Sequence, residues 1–507
     1  MASPQDMRFS LRLLQFGLIA VTLAVTLHRA FELDRFLVPK EVALHLCAAT
    51  AGVFALRAIH RVAFTWIDGV LVAFLGLSAI SAALATNPWL GLRATAMTAS
   101  SILLFWIARA LRDGGLDRPL LAAIAFGIVL ACVTSLLQAY GVSLDLFAQS
   151  RAPGGTLGNR NFVGHAAAFG LPVVILCALR AVRFGGAALA SIGVVIVTGA
   201  LVLTRSRAAW LASAVAMLVF VFAFLASPEL RRAWRRIGAV IALSACGLAA
   251  ALLIPNTLRW RSDNPYLESM RSVASYDEGS GRGRLVQYEQ SLRMAAAHPL
   301  LGAGPGNWPV RYPEHAVRND PSLDTSEAGM TFNPWPSSDW IAFFSERGFP
   351  AGALIVIVFI GIALRAFKDE DALRATALLG VLAGACVTAS FDAVLLLPLP
   401  AFFVWTSIGA LWPPSQEPQR TIPSLVALLV ILASMVGAAR SIAQVVSMDL
   451  FTRGSLTRAV TVDPGNYRAH LRLARIGKRA ERCEHARAAH ALFPNAAAAK
   501  EVARRCE

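Results

Sequence analysis

Charge is scarce in this sequence. Only 15% of its 507 residues are Asp, Glu, Lys or Arg, against about 25% in a typical soluble domain, so a free-standing soluble fold is excluded. Acid is scarcer than base, 31 against 47 residues. There is no HExxH or CxxC, and the nine histidines are scattered, so nothing points to a bound metal. His165, His298 and His315 are lone residues of the kind that is more often structural than catalytic. A GxSxG elbow is also missing, as is a plausible Ser/His/Asp set, which argues against a serine hydrolase. The one DxD, Asp369 to Asp371, sits beside Lys368 and Arg374 and reads as a solvated charge run.

Cysteine is sparse in the polar stretches. Cys47, Cys132, Cys177, Cys246 and Cys386 lie in or near apolar runs, where a free thiol behaves as a small hydrophobe. Only Cys483 and Cys506 lie in polar sequence. On the outer side of a membrane those two are expected to bond, with two free thiols as the alternative.

What the sequence has is long apolar runs, 56% of the chain being hydrophobic. A helix needs roughly 20 apolar residues to cross the hydrocarbon. Thirteen candidate spans fall near 11–28, 41–58, 66–86, 91–108, 119–141, 161–179, 186–203, 208–226, 237–254, 340–364, 374–392, 395–412 and 423–446. Arg8 and Arg12 before the first run imitate a signal peptide. No clear small-x-small cleavage site follows, so an uncleaved first span is expected. The net charge of +16 could suggest nucleic acid, but its distribution argues otherwise. Arginines gather in alternate short loops: Arg57 with Arg61, Arg109 with Arg112 and Arg118, Arg180 with Arg183, Arg231 through Arg236, and Arg365 with Arg374. That pattern places the N-terminus in the cytoplasm. With thirteen spans, the long loop and the C-terminal tail then lie outside.

The expected fold is all-α and polytopic, in four parts. Residues 1–254 are a dense run of spans, 255–339 a large polar loop, 340–446 further spans, and 447–507 a small helical tail. Within the loop, Leu285, Tyr288, Leu292 and Ala296 recur at helical spacing, which predicts an amphipathic helix lying on the membrane surface. The glycine stretch HPLLGAGPGNWP follows, with Gly302, Gly304 and Gly306 alternating as in nucleotide loops. Pro305 interrupts any run of backbone donors, and no clear strand precedes it. A structural turn is expected, not a phosphate cradle. In the tail, Ala459, Leu471, Ala474, Ala486 and Ala489 suit paired helices resembling one and a half tetratricopeptide units. So short an array is expected to dock on the membrane domain or on a partner, stapled by the disulfide.

Charges at span boundaries are functional candidates. LTRSRAAWLA puts Arg205 and Arg207 at an outer boundary, against the charge trend. They either snorkel to headgroups or serve a site. GTLGNRNFVGH puts Arg160 at a second outer boundary, and GRGRL puts Arg282 and Arg284 at the start of the surface helix. Three such clusters can converge on one anion, because the guanidinium fork suits phosphate oxygens. Asp339, Glu346 and Arg347 stand in the first turns of a later span, the two acids seven residues apart and so on nearly one helix face. One carboxylate can take a proton from an attacking hydroxyl, or the group is an internal ion pair that orients the helix.

These blocks line up with a family. GTLGNRNFVGH, LTRSRAAWLA, GRLVQYEQSLRMAAAHPLLGAGPGNWPVRYPEH and PSSDWIAFFSERG, in that order, resemble the O-antigen ligase and polymerase superfamily of polytopic bacterial glycosyltransferases. The resemblance implies an inner-membrane enzyme working on the periplasmic face. Such an enzyme moves a glycan from undecaprenyl diphosphate to an acceptor hydroxyl of a glycan or lipid, in lipopolysaccharide or exopolysaccharide synthesis. It implies no cofactor, no nucleotide sugar and no metal, with Arg207 and Arg284 matching the family's arginines and Arg160, Arg205 and Arg282 in support. Some relatives carry a tetratricopeptide tail, a place for polysaccharide-assembly partners. Where ligases usually carry a histidine before the last spans, this chain has Ser337. Asp339, His315 or the arginines alone then stand in, and ligase and polymerase both stay open. A flippase for lipid-linked sugars is the rival class. It is disfavoured because no internal repeat is seen and the polar motifs collect on one face. A third reading is a membrane scaffold whose tail recruits partners.

Overall fold

In a computed structural model, which describes residues 4–60, 62–148, 150–260, 262–271, 279–414 and 420–506, helices account for every apolar run. Arg61 of the basic loops lies outside the described residues. The first half holds α1 (Pro4–Leu23), α2 (Asp34–Ile59), α3 (Trp66–Ala83), α4 (Pro88–Asp113), α5 (Asp117–Ala139), α6 (Arg160–Arg180) and α7 (Phe184–Leu203). Next come α8 (Arg207–Ala226), the short α9 (Pro228–Arg232) and α10 (Trp234–Leu253). The long loop contains α11 (Pro265–Arg271), α12 (Gly279–Ala297) and α13 (Trp308–Arg311). Beyond it lie α14 (Asp339–Ala366), α15 (Ala372–Ala389), α16 (Pro398–Ala410) and α17 (Ser424–Thr452). The tail is α18 (Leu456–Val462), α19 (Tyr467–Ile476), α20 (Arg479–Leu492) and α21 (Ala497–Arg504).

The chain is therefore an all-helical polytopic membrane protein. Among the described residues, eleven helices are long and apolar enough to cross a bilayer. The other two expected spans are helical for different reasons. α1 carries Asp6, Arg8 and Arg12 in its first half. α16 has only 13 residues, and every one is buried. It packs against α2, α4 and α5, so closely on α4 that a Cβ at Gly409 would stand 2.5 Å from the Phe105 carbonyl. Helix starts follow local chemistry. Asn87 before α4, Asn159 before α6 and Ser338 before α14 each accept a hydrogen bond from an amide of the first turn, satisfying a donor the helix cannot.

The glycine stretch is explained by a defect in α14. Gly348 has φ +82° and breaks the helix, and Pro350 has no N–H to return to the Glu346 carbonyl. The Phe349 amide turns instead to the Pro299 carbonyl, at 2.8 Å. The carbonyls of Ser345 and Glu346 are thus left without helical partners, and buried carbonyls need donors. Ala303 donates to Ser345 at 2.9 Å and Gly304 to Glu346 at 2.8 Å. The Glu346 carboxylate then accepts the Gly306 amide at 2.9 Å and the Trp308 amide at 3.4 Å. The loop does cradle a carboxyl group, and that group is the protein's own Glu346. Gly302, at φ +66°, leaves no space for a side chain, since a Cβ would lie 2.3 Å from the Glu346 carbonyl carbon.

Helix α12 is present, with its faces used differently from a buried amphipathic helix. Leu285, Leu292 and Ala296 point away from the protein. The side that packs is mixed: Met294 is buried with Trp308 and Tyr312, Gln287 donates to Ser322 at 3.1 Å, and Ser291 accepts from the Trp308 indole at 2.9 Å. The tail is docked on its own chain. Asn495 donates to the Val310 carbonyl at 2.9 Å and to Glu314 at 3.0 Å, and Tyr467 donates to Glu327 at 2.9 Å. Trp89 and Met330 close over the tail's apolar core, and Cys483 is bonded to Cys506.

Replacing Gly302 with Ala should destabilise the chain by roughly 2–4 kcal/mol, because it forces both a positive φ and a clash with α14. Thermal unfolding in detergent checks this; an unchanged midpoint would mean that the loop does not hold α14 as described.

Candidate functional site

The polar blocks meet around the first turns of α6. Asn159 caps the helix, and Arg160 is its first residue. One turn on, Gly164 lets α8 approach closely: a Cβ there would stand 2.9 Å from the Ser206 side chain and 3.0 Å from Ala209. That contact brings the Thr204–Ala209 turn, with Arg205 and Arg207, against α6. Arg205 takes the left-handed conformation at φ +51°, a strained choice for a side chain of this size. It is held by Ser269, which accepts from its Nε at 2.9 Å, and by Glu268 at 3.6 Å. Arg207 opens α8 and is half-buried.

Two of the expected arginines share one aromatic ring. The Arg160 guanidinium stands 4.9 Å and the Arg205 guanidinium 4.7 Å from the centroid of Trp260. Both line a polar pocket of about 870 Å³ together with Arg259, Gln138, Ser143 and Ser150. Cation–ring contacts offset part of the repulsion between like charges held close together. The pocket therefore collects several cations with one partly neutralising acid, Glu268, an arrangement suited to a multiply charged anion. Arg259 and Trp260 belong to the loop after α10 and carry no motif of their own, so nothing in their sequence context marked them.

The surface helix adds Arg284 from another side. Tyr288 lies 2.8 Å from the Ser337 carbonyl and 2.7 Å from the Ser390 carbonyl, and the Ser337 amide donates to Gln287. Ser337 thus joins α12 to the start of α14 through its backbone. One turn earlier, Arg284 is half-buried and comes within electrostatic reach of His165 on α6, as does Asp392. Arg282 is exposed.

The two expected carboxylates are both buried. Asp339 is fully buried and accepts the Val394 amide at 2.9 Å and the Leu395 amide at 2.6 Å. It anchors the segment that leads into α16. Glu346 is spent on the glycine loop and lies 3.5 Å from Arg347. Both carboxylates accept backbone amides, which gives each a structural role in this fold. His315 sits with Arg311 and Glu314 beneath the tail, where burial holds it below the ordinary histidine range. The DxD carboxylates are paired too, Asp369 with Arg374 at 2.6 Å.

His165 is the residue that motif reading passed over. It is 1% exposed, and among the described residues neither ring nitrogen has a hydrogen-bond partner. A buried imidazole left unbonded is costly and calls for a reason. Its only sequence signal is its place in the GTLGNRNFVGH block.

Comparison with curated proteins finds no significant match for the chain. A family model described as O-antigen ligase matches residues 192–356. The match starts within α7, takes in Arg205, Arg207, Trp260, Arg284 and the glycine loop, and ends just past the Gly348 break. That segment, which holds most of the site, is similar to the O-antigen ligase family.

Proposed function

We propose that this protein transfers a glycan from undecaprenyl diphosphate to an acceptor hydroxyl, on the face that carries the long loop, and that this face is periplasmic. The observation that carries the reading is the shared pocket of Arg160 and Arg205 over Trp260, with Arg207 on the adjoining turn. In the reaction the acceptor oxygen bonds to the anomeric carbon while the bond from that carbon to the phosphate oxygen breaks. The electron pair leaves with the lipid diphosphate, and the acceptor proton must go to a base. Arginines fixed in place before the reaction stabilise the charge that builds on the leaving oxygens. The diphosphate is held by Arg160, Arg205, Arg207 and Arg284.

For the proton we favour His165 over Asp339. Among the described residues His165 has no hydrogen-bond partner, whereas the Asp339 oxygens are already occupied. A place for the lipid chain supports the same reading. An apolar groove of about 810 Å³ between α8, α14 and α15 runs along α15 from Ala372 to Cys386. At 1.5 Å per residue that is about 21 Å of helix, ending a turn below Ser390.

Arg207→Ala and Arg284→Ala should each lower the transfer rate by about 100-fold or more, the usual cost of losing one preorganised donor. A reconstituted assay with lipid-diphosphate-linked glycan measures this, and a chelator should leave the wild-type rate unchanged. Full activity in both variants would remove the arginines from the mechanism. His165→Gln should lower kcat about 100-fold with little change in KM, as expected of a proton acceptor. A raised KM at constant kcat would instead make His165 part of the binding surface.

A further inference from the structure

A strongly charged surface outside the site lies on the tail. Helix α19 is sharply two-sided. Tyr467, Leu471 and Ala474 enter the core shared with α20 and α21, while Ala469 and Leu473 pack on α18. Arg468, Arg472 and Arg475 are exposed, and their spacing of four and three places them on one face. Among the described residues none of the three is in an ion pair.

This face is not turned to open solvent at random. Arg468 stands 5.3 Å from the centroid of Phe31 and also donates to the Ala30 carbonyl. Arg472 stands 5.7 Å from the centroid of Phe451. The two rings meet edge to face, 5.2 Å apart. Phe31 lies three residues before the start of α2, and Phe451 lies at the end of α17. Both rings therefore mark the level where membrane helices emerge.

That level can be placed by length. α17 has 29 residues, about 43 Å at 1.5 Å per residue, whereas the hydrocarbon is about 30 Å thick. About 20 residues from Ser424 suffice to cross, so Phe451 lies roughly 10 Å beyond the far hydrocarbon boundary. This is the depth of phosphate headgroups, and the ring contacts hold the arginine stripe there. Rigidly mounted guanidinium groups at that depth suit lipid phosphate, and bury their stems against the rings as they do so.

We propose that Arg468, Arg472 and Arg475 form a docking face for the anionic headgroups of phospholipids in the adjoining leaflet. The tail is then a clamp on the bilayer surface, and through Tyr467–Glu327 and Asn495–Glu314 it steadies the loop that bears the glycine turn. The proposal needs only a membrane-spanning chain and is independent of the glycosyl-transfer reading. An acidic protein partner is less favoured, because the stripe faces the emerging helices and not the distal surface of the tail.

The test uses the full chain in neutral detergent, titrated with short-chain phosphatidylglycerol and with short-chain phosphatidylcholine, binding being followed by thermophoresis. Phosphatidylglycerol should bind more tightly and lose affinity as salt rises. Each surface arginine contributes a factor of about 5, so R468Q/R472Q/R475Q should weaken binding on the order of 100-fold. R487Q/R504Q/R505Q, elsewhere on the tail, should leave it unchanged. Arg475→Gln alone should give about a 5-fold loss, which decides the matter even if the triple variant misfolds. Equal binding of the two lipids, or unchanged binding in the stripe variants, would overturn the proposal. So would inorganic phosphate binding as tightly as phosphatidylglycerol, which would make this a free-anion site.

Discussion

The arrangement of this protein depends on how Glu346 is satisfied. A carboxylate 2% exposed inside a membrane bundle is tolerable only if donors surround it. The donors come from the glycine loop, at Gly306 and Trp308, and from Arg347 beside it. The same loop takes up the two carbonyls that the break at Gly348 sets free. One stretch of backbone thus meets two electrostatic demands of α14, and in doing so it fastens the far end of the long loop to the membrane domain.

That fastening places the rest. Trp308, whose amide is bound to Glu346, gives its indole to Ser291 on α12. Tyr288, a turn earlier on α12, reaches the backbone at Ser337 and Ser390. A rigid path therefore runs from Glu346 to the helix that carries Arg284. On the opposite side, Gly164 allows α6 and α8 to meet, and Trp260 gathers Arg160 and Arg205. Cations that are scattered in sequence are held close because small residues admit backbone contact and an aromatic ring separates the charges. Preorganisation of this kind is what the proposed departure of a diphosphate requires.

Much of this was legible in the sequence, and the part that was not has a common cause. Runs of apolar residues mark a crossing helix wherever they occur, so each expected span has its helix, including α16, whose full burial only packing reveals. The proline in the glycine stretch argued against a phosphate loop, and the loop is indeed a turn. What it binds could not be read, because Glu346 lies forty residues further on and pairing at that distance leaves no local trace. For the same reason Asp339 was expected to face substrate, although its oxygens close on the amides of Val394 and Leu395. Helical spacing identified α12 but not which face would pack, since Gln287 and Ser291 find partners that are not nearby in sequence. Trp260 carries no motif, and only the fold brings it among the arginines; His165 stands in the GTLGNRNFVGH block, but its burial without a partner leaves no trace in the sequence.

The most direct measurement of the central claim is the fate of the lipid diphosphate. Proteoliposomes holding the wild-type chain would be given radiolabelled undecaprenyl-diphosphate-linked glycan with and without acceptor, and the lipid products separated by thin-layer chromatography. The account predicts free undecaprenyl diphosphate in step with glycan appearing on the acceptor, and little of either when the acceptor is withheld. Intact donor crossing to the opposite leaflet with no diphosphate released would contradict it, and would make this protein a transporter built on a ligase-like segment.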